Sequence, residues 1–199
     1  MKVIGLTGGI ASGKSTASRI LRELGAPVVD ADVLAREVVE PGTEGWRQVI
    51  EAFGHGIVLP GGQLDRRRLA RLVFADEAAR GRLNAIIHPR VRERMQAAVE
   101  EARTAGEPAV VLDVPLLMEG GLDAACDQVW VVYVDEETQL FRLMQRDGLP
   151  PEEARRRIAA QLPLREKAAR ADVVIYNTGA VEETRRQVET QWRQVVPAP

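Results

Sequence analysis

Between a short apolar run at residues 3–6 and a stretch of helical hydrophobic spacing at residues 15–24 lies GGIASGKS, residues 8–15. Two glycines five positions apart, followed at once by lysine and serine, constrain this chain more than anything else in it. Glycines let a backbone curl until consecutive N–H groups converge on one point. A helix opening directly afterwards adds its own unpaired N–H groups and the positive end of its dipole. Such a concavity takes an anion, and G-x-x-x-x-G-K-[ST] between a strand and a helix is the order of a phosphate-binding loop. Gly8, Gly9, Ala11, Ser12, Gly13, Lys14, Ser15 and Thr16 are therefore the expected contacts to a nucleoside triphosphate. Lys14 is expected on the outer phosphates and Ser15 on Mg²⁺.

A loop of this kind needs a parallel sheet behind it, and the rest of the chain supplies one. The segments 26–30 (APVVD), 109–113 (AVVLD), 129–134 (VWVVYV) and 172–176 (DVVIY) join 3–6 as apolar runs without alternation. That is the pattern of strands buried on both faces. Helical patterns alternate with them, so the expected fold is α/β, a parallel five-stranded sheet covered by helices on both faces. At 199 residues, 45% of them hydrophobic, this is a single domain over 1–199 with room for insertions.

Residues 40–107 form one such insertion: helical patterns at 43–53, 64–74, 77–87 and 91–105, with no strand pattern among them. The third is expected to end at His88-Pro89, because proline cannot continue a helix's hydrogen bonding. So long an excursion suits a helical subdomain inserted on the ligand side of the sheet. A second distinctive stretch, 142–170, carries Arg142, Arg146, Arg155, Arg156, Arg157, Arg165, Lys167 and Arg170. Such a run is either a solvated helix face or, with breaks at Gly148-Leu149-Pro150 and Pro163 as hinges, a basic helical lid that closes over phosphate and excludes water. Arg142 and Arg146, one helical turn apart, are the expected phosphate contacts.

Carboxylates complete the pattern. Asp32 follows the second strand, where an acid can accept a proton from an attacking hydroxyl; Asp30 is equally suited to capping a helix. Asp113 ends an apolar strand, the place of an acid that reaches Mg²⁺. Apolar residues after it, including Pro115 and Leu116, can wall an organic acceptor or simply fill core, and His88 can contact an anionic or hydroxyl-bearing one. No N-K-x-D segment is present, which disfavours a GTPase. The formal net charge of −2 disfavours a nucleic-acid binder. A single cysteine, Cys126, excludes an internal disulfide and suits a small core hydrophobe. With no signal-peptide layout and no apolar run near the length of a membrane span, a soluble cytoplasmic protein is expected.

The chain also resembles the dephospho-coenzyme A kinase family of P-loop proteins. The resemblance rests on GLTGGIASGKST (5–16), DAD (30–32) with AREV (35–38), HP (88–89), DVPLLMEGGLD (113–123), QRD (145–147), RRIAAQLPLREKAARAD (156–172) and VIYNTG (174–179), in family order. It implies transfer of the γ-phosphoryl group of ATP to the ribose 3′-hydroxyl of dephospho-coenzyme A, with Mg²⁺. Residue by residue it places the general base on Asp32, the lid arginine on Arg146, an asparagine near the adenine on Asn177, and acceptor-side groups on His88, Asp113, Pro115 and Leu116. The partners it implies are these two small molecules, with no nucleic acid and no membrane, in a monomer or weak oligomer. Ala11 stands where many members carry glycine and is expected at negative φ; Met118 replaces a common aromatic. Phosphorylation of a nucleoside monophosphate, shikimate or gluconate is the competing enzymatic reading, and a nucleotide-gated interaction protein the non-enzymatic one.

Overall fold

The structure, a computed structural model, describes residues 1–196. Five parallel strands, β1 (Lys2–Gly8), β2 (Val28–Asp30), β3 (Ala109–Asp113), β4 (Gln128–Tyr133) and β5 (Val173–Tyr176), form one sheet in the order β2-β3-β1-β4-β5. The strand carrying GGIASGKS is central, with Leu6 level with Asp113 on one side and Trp130 on the other. That register places the loop after β1 beside the last residue of β3. The strand order reverses around β1, the place where open α/β sheets bind ligands.

The chain divides into two compact units, one made of residues 1–29 with 99 onward and the other of residues 30–98. In the first, α1 (Lys14–Glu23) and α9 (Val181–Val195) lay their apolar stripes against the sheet. Ala17, Ile20 and Leu21 of α1 and Val188 and Trp192 of α9 join Ile4, Leu6, Val111, Trp130, Val132 and Ile175 in one buried cluster. Their i, i+3, i+4 spacing is what the helical period requires of a core-facing stripe. Truncating one such aliphatic residue to alanine costs about 2–5 kcal/mol. Three further helices, α6 (Glu136–Asp147), α7 (Pro151–Ala159) and α8 (Leu164–Ala169), follow β4. They break at the expected glycine and prolines, with Gly148 closing α6 in the left-handed region at φ 65°.

The second unit is helical and has its own core. It contains α2 (Ala31–Glu37), α3 (Glu44–Phe53), α4 (Arg66–Ala75) and the first part of α5 (Glu77–Thr104). Val38, Val39, Val49, Ile50, Ile57, Leu64 and Leu69 form that core, with Trp46, Ile86 and Ile87 packed on it. One expectation fails here. The predicted helices at 77–87 and 91–105 are a single 28-residue helix with Pro89 inside it. Proline removes one N–H from the helical ladder, yet Ile86, Ile87 and Val91, on either side of it, remain packed on the core. Packing on both sides of the proline thus overrides a local stop signal. No helix among the described residues is long and apolar enough to cross a membrane.

Candidate active site

The loop after β1 folds as the glycines allow. Ser12 N–H donates to the Gly9 carbonyl at 3.0 Å, closing a turn, and Gly13 sits at φ 84° directly before α1. No side chain caps α1, so the N–H groups of Lys14 and Ser15 have no acceptor within the helix, and the Ser15 side chain is exposed. The Ser12 hydroxyl is buried without a partner among the described residues. Uncapped N–H groups, a lysine and an exposed hydroxyl are a donor set suited to phosphate oxygens and their counter-ion.

Ala11 departs from expectation. Its φ is +59°, the left-handed region, and it is the one non-glycine residue among those described with positive φ. A Cβ there costs about 1–2 kcal/mol relative to a right-handed conformation, so its surroundings must hold it in place.

Four side chains from outside the loop do hold this segment. Gln139 of α6 is buried and donates from Nε2 to the Ile10 carbonyl at 2.8 Å; Gln161 accepts the Ile10 N–H through Oε1 at 2.8 Å. Asn177, just past β5, donates from Nδ2 to the Ser12 carbonyl at 2.8 Å and accepts from the Thr184 hydroxyl at 2.8 Å. A side chain on Gly13 would begin 2.0 Å from that Asn177 nitrogen, so only glycine fits there. Lys167 of α8 is fully buried; its Nζ donates to the Gly8 and Pro115 carbonyls at 3.1 and 3.2 Å and pairs with Glu119 at 2.8 Å. All three ammonium donors are thereby satisfied, which is the condition for burying a lysine.

At the mouth of the loop Lys14 is ion-paired with Asp113, itself only 2% exposed. The segment after Asp113 turns inward at Val114, Leu117 and Met118, which are buried, while Leu116 is 47% exposed and Pro115 half-buried. Most of the apolar run is therefore core, and Leu116 is the part available to a ligand. The guanidinium of Arg142 lies 3.9 Å from where a Gly13 side chain would begin. Arg146, one turn further along α6, is exposed and forks onto Asp147 at 2.7 and 3.1 Å. Hydrogen bonding from Arg146, aided by its charge and that of Arg157, holds the Asp147 carboxyl below its ordinary range.

In the helical unit, Asp30 caps α2, accepting the N–H groups of Asp32 and Val33 at 2.9 and 3.2 Å. Asp32 stands in the first turn of that helix, exposed, and its carboxylate has no hydrogen-bond or ion-pair partner among the described residues. The two aspartates are thus separated in role, one structural and one free. His88 is exposed in the middle of α5 rather than at a helix end.

Comparison with known proteins bears on what this arrangement does. A family model described as Dephospho-CoA kinase matches residues 2–183. A relative named dephospho-CoA kinase from Geobacter sulfurreducens is 54% identical over 197 residues, 99% of this chain and 100% of that one. This chain belongs to the dephospho-CoA kinase family. It is an ATP-dependent phosphotransferase. A crystal structure from Thermus thermophilus superposes with a TM-score of 0.82 at 36% identity, covering 99% of this chain and 98% of the other. A dephospho-CoA kinase from Campylobacter jejuni gives 0.76 at 27% identity, with 97% and 96% covered.

Sequence reasoning gives no role to Gln139 or Gln161, reads Glu119 only as an acid facing the ligand cleft, and counts Lys167 among the basic residues of 142–170. For Lys167 a signal exists: it lies three residues after Leu164 on one stripe of α8, and these two are the buried residues of that helix. For the glutamines there is none, because an amide that bonds to a distant backbone leaves no periodic mark.

Proposed function

We propose that this chain transfers the γ-phosphoryl group of ATP to the ribose 3′-hydroxyl of dephospho-coenzyme A, with the phosphate loop as the seat of the donor. The loop N–H groups and Lys14 hold the donor's phosphates, and Arg142 and Arg146 meet the charge that spreads over the transferred group. Asp32 accepts the acceptor hydroxyl's proton; its unpartnered, exposed carboxylate supports that role. His88, Pro115 and Leu116 serve the acceptor, and Asn177, whose side chain braces the loop, lies near the adenine. The segment 142–170 acts as the lid and residues 40–107 as the acceptor-binding subdomain.

Ser15, through its exposed hydroxyl, and Asp113, through its carboxylate, would hold Mg²⁺. When bound, the ion supplies neutralising charge to the phosphate oxygens. We take the enzyme to be cytoplasmic and a monomer or weak oligomer. The observation that carries this reading is the loop itself, with unclaimed N–H groups at Lys14 and Ser15 opening α1.

Purified protein offered ATP and Mg²⁺ with dephospho-coenzyme A, AMP, shikimate or gluconate in parallel is expected to form ADP only with dephospho-coenzyme A. The product should be phosphorylated at the 3′-oxygen. ADP formation at equal rates with another acceptor, or without one, would overturn the assignment.

A further inference from the structure

The phosphate loop is useful in one shape only, and a residue far away in sequence selects that shape. We propose that Gln139 is a positioning residue for ATP, holding the central peptide of the Gly9–Ser12 turn in an orientation that Ala11 opposes. In that turn φ is not positive at Ile10 and is +59° at Ala11, the sign pattern of type II. Types I and II differ by rotation of the central peptide, which moves the second central residue between φ of about −90° and about +80°. The carbonyl of that peptide belongs to Ile10 and its N–H to Ala11.

An alanine favours the type I orientation, because only there does its Cβ escape the left-handed region. Rotation to type I would turn the Ile10 carbonyl away from Gln139 and swing the Ala11 N–H out of its place in the loop. The 2.8 Å bond from Gln139 Nε2 opposes that rotation directly. Gln161 keeps the preceding N–H of Ile10 in register, also at 2.8 Å. Access for the amide is built in: a Cβ on Gly9 would sit 2.5 Å from the same nitrogen. Where glycine occupies position 11, neither turn type is favoured by sterics, and the outside donor matters less.

The inference rests on ATP being the donor and is tested by a comparison of backgrounds. Gln139→Leu and Gln139→Glu are each made alone and together with Ala11→Gly, and the Michaelis constants are measured at pH 8. Each Gln139 substitution alone is expected to raise KM for ATP about tenfold and KM for dephospho-coenzyme A less than about twofold. Added to A11G, the same substitution should raise KM for ATP less than about threefold. Q139E keeps the side chain's shape while removing its donor, so it carries the comparison should Q139L not fold. A general packing role predicts equal fold-changes in both backgrounds, and that result overturns the proposal. So does an unchanged KM for ATP in the Ala11 background. Absence of any activity in the unsubstituted protein would instead count against the assignment of the reaction.

Discussion

Lys14, the lysine of the phosphate loop, is ion-paired with Asp113, the residue that ends β3. The neighbouring registers of β1 and β3 make the pair, since Leu6 lies level with Asp113. A lysine held in this way is pre-oriented toward the loop mouth, and an incoming phosphate competes with a carboxylate rather than with water alone. Lys14→Met is therefore expected to raise KM for ATP and lower kcat together, with kcat/KM falling by about 100-fold or more. Asp113→Asn should leave nucleotide affinity within about threefold when no divalent ion is present, yet shift half-maximal turnover to higher magnesium concentration. Steady-state kinetics with a magnesium titration measures both; an unaltered magnesium dependence would remove Asp113 from the ion's ligands.

Asp32→Asn preserves the shape of the side chain and the α2 cap provided by Asp30. Turnover should fall by about 10²–10⁴-fold, the usual contribution of a positioned base. ATP binding measured by calorimetry should change less than about threefold. Near-normal turnover in D32N would rule out the proton-accepting role.

Burial of Lys167 against Glu119 makes a prediction that is read in stability rather than in turnover. Replacing Lys167 by Met leaves Glu119 without its cation and the Gly8 carbonyl without the ammonium donor, a loss of about 2–4 kcal/mol. The Glu119 side chain is 23% exposed, so water offsets part of that loss. K167M combined with Glu119→Gln should recover part of it. Denaturant unfolding of the single and double variants measures the coupling, and strictly additive effects would show that the pair is not coupled.

Cys126 is half-buried, and burial first, then the charges of Asp123 and Asp127, pushes its thiol up to about 11. The thiol of the unfolded chain ionises first as pH rises. Its contribution is therefore complete below the ordinary value of 9.0 and fades between there and about 11. Cys126→Ala should flatten the alkaline decline in stability across that window, as read by denaturant midpoints at successive pH values. The native thiol should also resist alkylation at pH 8, reacting only on unfolding; rapid alkylation of the folded protein would contradict its burial.

Much of this was legible in the chain itself because it is local. Strand and helix periods, the Gly–Lys–Ser run and the turn residues report on neighbours a few positions away. The five strands and the break at Gly148 accordingly stand where these patterns put them. Pro89 and Ala11 show where local signals lose. Proline says stop, but the residues around it are packed on a helical core that continues the helix. Alanine says negative φ, but an amide from α6 is bonded to the carbonyl just before it.

The amino-acid sequence alone determined that a phosphate loop would sit between a buried strand and a helix, because backbone geometry and apolar periodicity are set by consecutive residues. Only the tertiary structure decided what steadies that loop. Gln139, Gln161, Lys167 and Asn177 come from four separate places along the chain and meet residues 8–12 through hydrogen bonds to backbone atoms. Such bonds depend on where the sheet and its helices bring the chain, and no spacing in the sequence encodes them.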